Sequence, residues 1–270
     1  TLNASGEDTE RLGERLQAQT VAHGSFDVDM NFMRKDGSPV WARVQGRGVR
    51  AHDMAGGTVW ILEDLTAARE AQQQQDWAAI HDPLTQLCNR EAFVQRMGVL
   101  LAERSARART PGVEAVDAAE GEGDGVMLFL DLDHFTVVND LAGHDAGDDV
   151  LRHVARLLES HVRQIGWAAR LGGDEFAVVL PGCSLVRGQA LAEQLRAAVQ
   201  AWEPSYQGRS FTLGVSIGLV VLDASLQDVP SVLYAADMAC YDAKRAGRNR
   251  VETRHADQAA ASGRMALGPV

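Results

Sequence analysis

Apolar residues recur at every second position over Phe26–Arg34 (Phe26, Val28, Met30, Phe32) and again from Val40 to Val49 (Val40, Ala42, Val44). A period of two puts them on one face of a strand. Lys35-Asp36-Gly37-Ser38-Pro39 between the two runs is a turn signal, and a Gly56-Gly57 turn leads into a third run, Thr58–Leu62. Three strands joined by short turns predict an antiparallel meander. The preceding residues 1–24 are polar, with a short helix expected over Glu10–Ala22. From Leu65 to His81 the pattern turns helical, with a seam of Leu65, Ala68, Gln72, Gln75 and Ala79. That seam is small and polar, so a coiled coil built on it is weak. Asp82-Pro83 ends the helix, because a residue before proline avoids the α region. A second helix is expected from Thr85 to Arg104.

Residues 105–125 hold Gly, Ala and acids without periodicity and read as a mobile surface loop. Val126–Leu130 is an unbroken apolar run, the pattern of a strand covered on both faces. Helices are expected over Asp149–Gln164, Ser184–Trp202 and Ser231–Arg245. Strands are expected over Ala168–Leu171, Phe176–Leu180 and Phe211–Leu222, the first two joined as a hairpin by Gly172-Gly173-Asp174-Glu175. Residues 254–270 read as a frayed tail. Strands and helices thus mix around one sheet, an α/β fold of the α+β sandwich kind.

Composition narrows the classes. The 270 residues are 46% hydrophobic and 23% charged, which excludes wholesale disorder and a fibrous protein. That length corresponds to one or two domains of ~150 residues. The net charge of −11 gives no general attraction to nucleic acid or anionic lipid, so neither is expected as a partner. A phosphate ligand would need local positive charge. Cys88, Cys183 and Cys240 lie far apart with no CxxC pair, which argues against zinc and disulfides and fits a reducing, cytoplasmic setting. No apolar run reaches the ~18 residues of a membrane span. No signal peptide is expected, and an initial Thr is read as the start of a segment of something longer.

Three segments carry candidate chemistry. In Phe129-Leu130-Asp131-Leu132-Asp133-His134-Phe135 an apolar strand ends in two carboxylates that a period of two points to one face. Buried carboxylates need a positive partner, and Mg²⁺ commonly binds one or two of them plus phosphate. The plainer alternative is a strand running out into solvent. In Gly172-Gly173-Asp174-Glu175, the glycines let backbone N–H groups approach phosphate oxygens and the acids add a metal ligand and a proton acceptor. Alone, such a string is an ordinary hairpin turn. Lys244-Arg245-Ala246-Gly247-Arg248-Asn249-Arg250 could neutralise a triphosphate, or could simply close a helix whose C-terminus favours cations. Together the three are the parts of metal-assisted nucleotidyl transfer.

The same segments carry a resemblance. His81-Asp82-Pro83-Leu84-Thr85-Gln86-Leu87-Cys88-Asn89-Arg90, FLDLDHFTVVNDLAGHDAGDDVL, RLGGDEF, SIGLVV, and the run from Ala236-Asp237 through Lys244 to Gly247-Arg248-Asn249 resemble, in order over residues 81–251, the GGDEF family of diguanylate cyclases. The resemblance implies a central sheet like that of polymerase palms and nucleotide cyclases. It implies joining of two GTP, one per subunit of a homodimer, into cyclic di-GMP with Mg²⁺ or Mn²⁺ as cofactor. Asp131 and Asp174 would hold metal with the Leu132 carbonyl. Asn139 and Asp148 would read guanine, with His144 in the same segment. Gly172 and Gly173 would cradle phosphates, Lys244 and Arg248 would hold the β- and γ-phosphates, and Asp174 or Glu175 would accept the 3′-hydroxyl proton. The N-terminal meander resembles the C-terminal half of a PAS sensor domain through Arg34-Lys35-Asp36-Gly37-Ser38, Val40-Trp41 and Glu63-Asp64-Leu65-Thr66. The domain expectation is a partial PAS over 1–64, a helical signalling linker over 65–81, a GGDEF domain over 82–253 and a flexible tail over 254–270.

Two departures matter. Thr136 stands where the family usually has a Lys that stabilises transition-state charge. The family's product-inhibition motif, RxxD, aligns with Arg163-Gln164-Ile165-Gly166 and lacks its Asp, which predicts weak or absent inhibition there. The rival readings are a catalytically weak or inactive domain that binds GTP and regulates a partner, a cyclic di-GMP receptor, and a simple PAS dimerisation module.

Overall fold

The computed structural model describes residues 3–4, 25–50, 53–108 and 123–254. The helix expected over Glu10–Ala22, most of the 105–125 loop and nearly all of the 254–270 tail lie outside them. The chain divides into two compact units, Thr1–Trp77 and Ala78–Val270.

The first unit is a four-stranded antiparallel sheet in the order β1 (Asn3–Ala4), β2 (Ser25–Met33), β3 (Pro39–Arg50), β4 (Asp53–Asp64). The expected meander is its β2–β3–β4 part. Met30, Val40, Ala42 and Val44 are buried, while Val59, Ile61 and Leu62 on the edge strand β4 stay exposed. The Gly56-Gly57 turn is a correction. β3 and β4 pair down to Arg50↔Asp53, so the glycines lie within β4 and the reversal comes earlier. Helix α1 (Thr66–Ile80) starts where Asp64 accepts the Thr66 N–H at 2.9 Å and Thr66 Oγ1 accepts the Trp41 N–H at 3.0 Å. It buries none of its residues.

The second unit is built on a five-stranded mixed sheet, whose strands lie in the spatial order Val251–Arg254, Gly214–Val221, Val126–Asp133, Glu175–Leu180, Trp167–Gly172. These strands are β5 (Val126–Asp133), β6 (Trp167–Gly172), β7 (Glu175–Leu180), β10 (Gly214–Val221) and β11 (Val251–Arg254), with a two-strand hairpin of β8 (Ser205–Tyr206) and β9 (Arg209–Ser210) outside it. Its neighbouring strands pair antiparallel except β10 and β11, which pair parallel. β5 is central and buried along its whole length, as its unbroken apolar run predicts. Its even positions, Val126, Leu128, Leu130 and Leu132, face one core with α4 (His144–Val162) and α5 (Leu185–Ala201). Its odd positions Met127 and Phe129 face a second core with α2 (Arg90–Ala108) and α6 (Val229–Arg245). Asp131 and Asp133 continue that odd face at the strand's end.

Three expectations are corrected here. The helix expected from Thr85 begins at Arg90, because Asp82 accepts the Thr85 N–H and Oγ1–H and Gln86 takes φ 64, which together form a tight turn. Asn89 then ends one helix and starts the next. Its Nδ2 donates to Ala78 O and Ala79 O, and its Oδ1 accepts the Ala92 N–H. The helix expected from Asp149 begins at His144, preceded by an unforeseen short helix α3 (Phe135–Ala142). The strand expected from Phe211 begins at Gly214.

Candidate active site

Strand pairing assembles the acids. Asp131 lies opposite Glu175 in the β5–β7 ladder, and the Leu132 N–H donates to Asp174 O at 3.3 Å. Asp131 is only 9% exposed. Lys244, on the last turn of α6, reaches it with Nζ 2.6 Å from Oδ2. Burial raises the Asp131 carboxyl, and the Asp174 and Asp133 charges add to that, while the Lys244 bond opposes it; the net direction is up. Glu175 is likewise raised, first by burial and then by Asp131, Asp237 and Asp174, with Arg90 opposing. Burial draws Lys244 down, but the Asp131 bond and charge outweigh it and its ammonium is held above the ordinary lysine range. Three neighbouring acids against one close ammonium leave unbalanced negative charge among hard oxygen donors. That donor set suits a divalent cation completed by ligand phosphates. Among the described residues no three His, Cys, Asp or Glu side chains converge as a ready-made metal cage.

The Gly172-Gly173 turn is exposed, with φ 153 and 49. A Cβ at either would meet nothing within 4 Å, so the glycines are required by backbone conformation rather than by space. Arg170 braces this turn. Its Nε and Nη2 donate to Gly173 O at 3.0 and 2.8 Å, and Nη1 donates to Asp82 at 3.1 Å. Burial alone would raise the Asp82 carboxyl, but the Thr85 bonds and Arg170 hold it below the usual carboxylate range. Sequence reasoning missed this brace, since Asp82 and Arg170 stand 88 residues apart.

The guanine-reading candidates lie on α3 and α4. Asn139 packs against Gly147, where any Cβ would overlap Asn139 Oδ1. Asp148 is half-exposed and 3.8 Å from Arg152, and His144 is exposed at the start of α4. Thr136 is exposed in the first turn of α3. Arg248 is exposed, its Nε 4.0 Å from Asp133 Oδ1. Asp133 shares the Asp131 face, as the spacing predicts, yet its carboxylate bonds Ser216 Oγ and the Asn249 N–H. Arg163 is exposed at the end of α4. Gly166 packs so tightly that a Cβ would overlap Val179 O, so the missing acid has no room there.

A family model described as "Diguanylate cyclase, GGDEF domain" matches residues 79–250. The chain is 36% identical over 205 residues to the probable diguanylate cyclase DgcE of Escherichia coli strain K12, covering 76% of this chain and 17% of that protein. It is 38% identical over 190 residues to diguanylate cyclase DgcP of Pseudomonas aeruginosa, covering 70% and 26%. It therefore spans about a quarter or less of these relatives' lengths. The crystal structure of the coiled coil and GGDEF domain of DgcB from Caulobacter crescentus, in complex with c-di-GMP, superposes with TM-score 0.60 at 29% identity over 70% of this chain and 93% of that one. The GGDEF domain of PA1120 from Pseudomonas aeruginosa gives TM-score 0.53 at 32% identity over 63% and 97%. With the sheet, the acidic cluster and the glycine turn all inside the matched span, this chain belongs to the GGDEF diguanylate cyclase domain family.

Proposed function

We propose that this chain is a diguanylate cyclase that condenses two GTP into cyclic di-GMP. The observation that carries the reading is the meeting of Asp131, Asp174 and Glu175 with Lys244 at one end of the central sheet. Each step forms a bond from the 3′-oxygen of one GTP to the α-phosphorus of the other. It breaks the bond from that phosphorus to the oxygen bridging toward the β-phosphate, and pyrophosphate leaves. Asp174 or Glu175 takes the 3′-hydroxyl proton. Two such steps close the ring and release two pyrophosphates. Asp131, Asp174 and the Leu132 carbonyl would hold Mg²⁺ or Mn²⁺, which when bound neutralises phosphate charge and makes the α-phosphorus more electrophilic. Gly172 and Gly173 offer an exposed backbone to the phosphates, and Lys244 and Arg248 hold the β- and γ-phosphates. Asn139 and Asp148 select guanine, since a base without matching donors leaves these polar groups unpaired beneath it.

One site holds one GTP, so the working enzyme is a homodimer. In this reading α1 sets subunit geometry, the small sheet is the remainder of a PAS sensor and the protein acts in the cytoplasm. The test is chromatography of products from purified protein with GTP and Mg²⁺. Cyclic di-GMP is expected, and Asp174→Ala should abolish it. A second reading, a GTP-binding regulatory module, is favoured by the uncharged Thr136 on α3. Under that reading wild type makes no product, and Thr136→Lys is the variant that gains synthesis.

A further inference from the structure

Arg248 and Asn249 both take left-handed backbones, φ 63 and 45. Non-glycine residues are uncommon there, Arg more so than Asn, and two in succession persist where surrounding bonds hold them. Four fastenings surround this pair. The Arg248 N–H donates to Ala243 O at 3.0 Å, and the Ile217 N–H to Arg250 O at 2.9 Å. Arg196 on α5 donates from Nη1 to Asn249 Oδ1 at 3.1 Å. The fourth is Asp133, whose Oδ2 accepts the Asn249 N–H at 2.9 Å.

Asp133 is only 4% exposed, and its Oδ1 accepts the Ser216 hydroxyl at 2.8 Å. Its neighbour Gly214 leaves it room. A Cβ there would stand 3.0 Å from Asp133 Oδ2 and 3.2 Å from Asn249 Cβ. Both carboxylate oxygens are therefore committed to protein donors, on the side of the strand end where the basic loop turns back.

We propose that Asp133 is a positioning residue: it holds the Arg248–Asn249 pair in its left-handed form, so that the Arg248 guanidinium stands beside the acidic site and grips the terminal phosphates of GTP. Arg196 is the second brace of the same loop. This inference rests on the reading of the site as a GTP site. It assigns the second strand-end acid to the phosphate grip and not to the metal.

The test is a double-mutant cycle on binding, with Asp133→Ala, Arg248→Ala and the pair, titrated with GTP and with GMP in Mg²⁺. Each single variant should weaken GTP about tenfold or more, the worth of a charge-assisted contact. The pair should be no weaker than the weaker single, because both remove one grip. GMP, which lacks the terminal phosphates, should bind all forms alike. Losses that multiply in the pair, or an equal loss of GMP affinity, overturn the proposal. Titration with Mn²⁺ alone adds an arm. Asp133→Ala should leave Mn²⁺ affinity unchanged, and a tenfold loss would make Asp133 a metal ligand instead. Where Asp133→Ala does not fold, Asp133→Asn replaces it and should keep part of the GTP affinity. Wild type that binds GTP without turnover overturns only the cyclase reading. Wild type that binds no GTP overturns both.

Discussion

At the scale of single residues, the site depends on groups that carry no obvious chemistry. Asp82 is one. Its carboxyl lies below the ordinary range, so its contribution is present above the unfolded value of ~3.9 and is lost as pH falls through the lower folded value. Asp82→Asn should cost about 1–2 kcal/mol at pH 7, allowing for partial solvent screening. Thermal melts of the two proteins should converge as pH falls below the range in which the folded Asp82 carboxyl protonates. Gly166 is another. With Val179 O against it, Gly166→Asp should lower the melting temperature without creating inhibition by cyclic di-GMP. A restored, Arg163-dependent inhibition of synthesis would show that the backbone yields. The strand-end acids, the glycine turn and the basic helix end were all legible in the string, because each is a local departure from an apolar or helical pattern. The Asp82–Arg170 brace and the Asp133–Asn249 bond were not, since only the folded sheet brings such distant positions together.

At the scale of elements, long periodic segments were readable and short ones were not. β5 announced itself by five apolar residues in succession. α3 did not, because eight residues containing Thr136, Val137 and Val138 favour a strand on local grounds and owe their helix to packing. β11, four residues at a sheet edge, gives no pattern of its own. The approach of α6 to the sheet is set by Gly218, where a Cβ would overlap Ala236 O and Cys240 N. Cys240, buried there, has its thiol pushed up to about 12, by burial first and then by Asp131, which makes it packing rather than a nucleophile. Gly218→Ala should push α6 off the sheet, cost about 1–3 kcal/mol and carry Lys244 away from Asp131. Denaturant unfolding measures the first effect and GTP titration the second.

For the whole molecule, a net charge of −11 and a local cluster of Lys244, Arg245, Arg248 and Arg250 divide the work. Under the proposed reading the bulk discourages adventitious polyanions while this one basic loop receives the phosphates of GTP. No helix among the described residues is long and apolar enough to cross a membrane. If two subunits must face each other, initial rate should rise faster than linearly with protein concentration through the dimer dissociation range. A strictly linear rate there would remove the dimer from the mechanism.

The parallel pairing of β11 beside β10 has one more consequence. The loop bearing Arg248 runs straight into this last strand, whose other margin has no neighbour in the sheet among the described residues. If that loop grips GTP as proposed, fraying of that margin and release of the nucleotide tail are coupled. Amide hydrogens of residues 251–254 should therefore exchange with solvent more slowly when a triphosphate is bound, and a four-residue edge ribbon would report on occupancy.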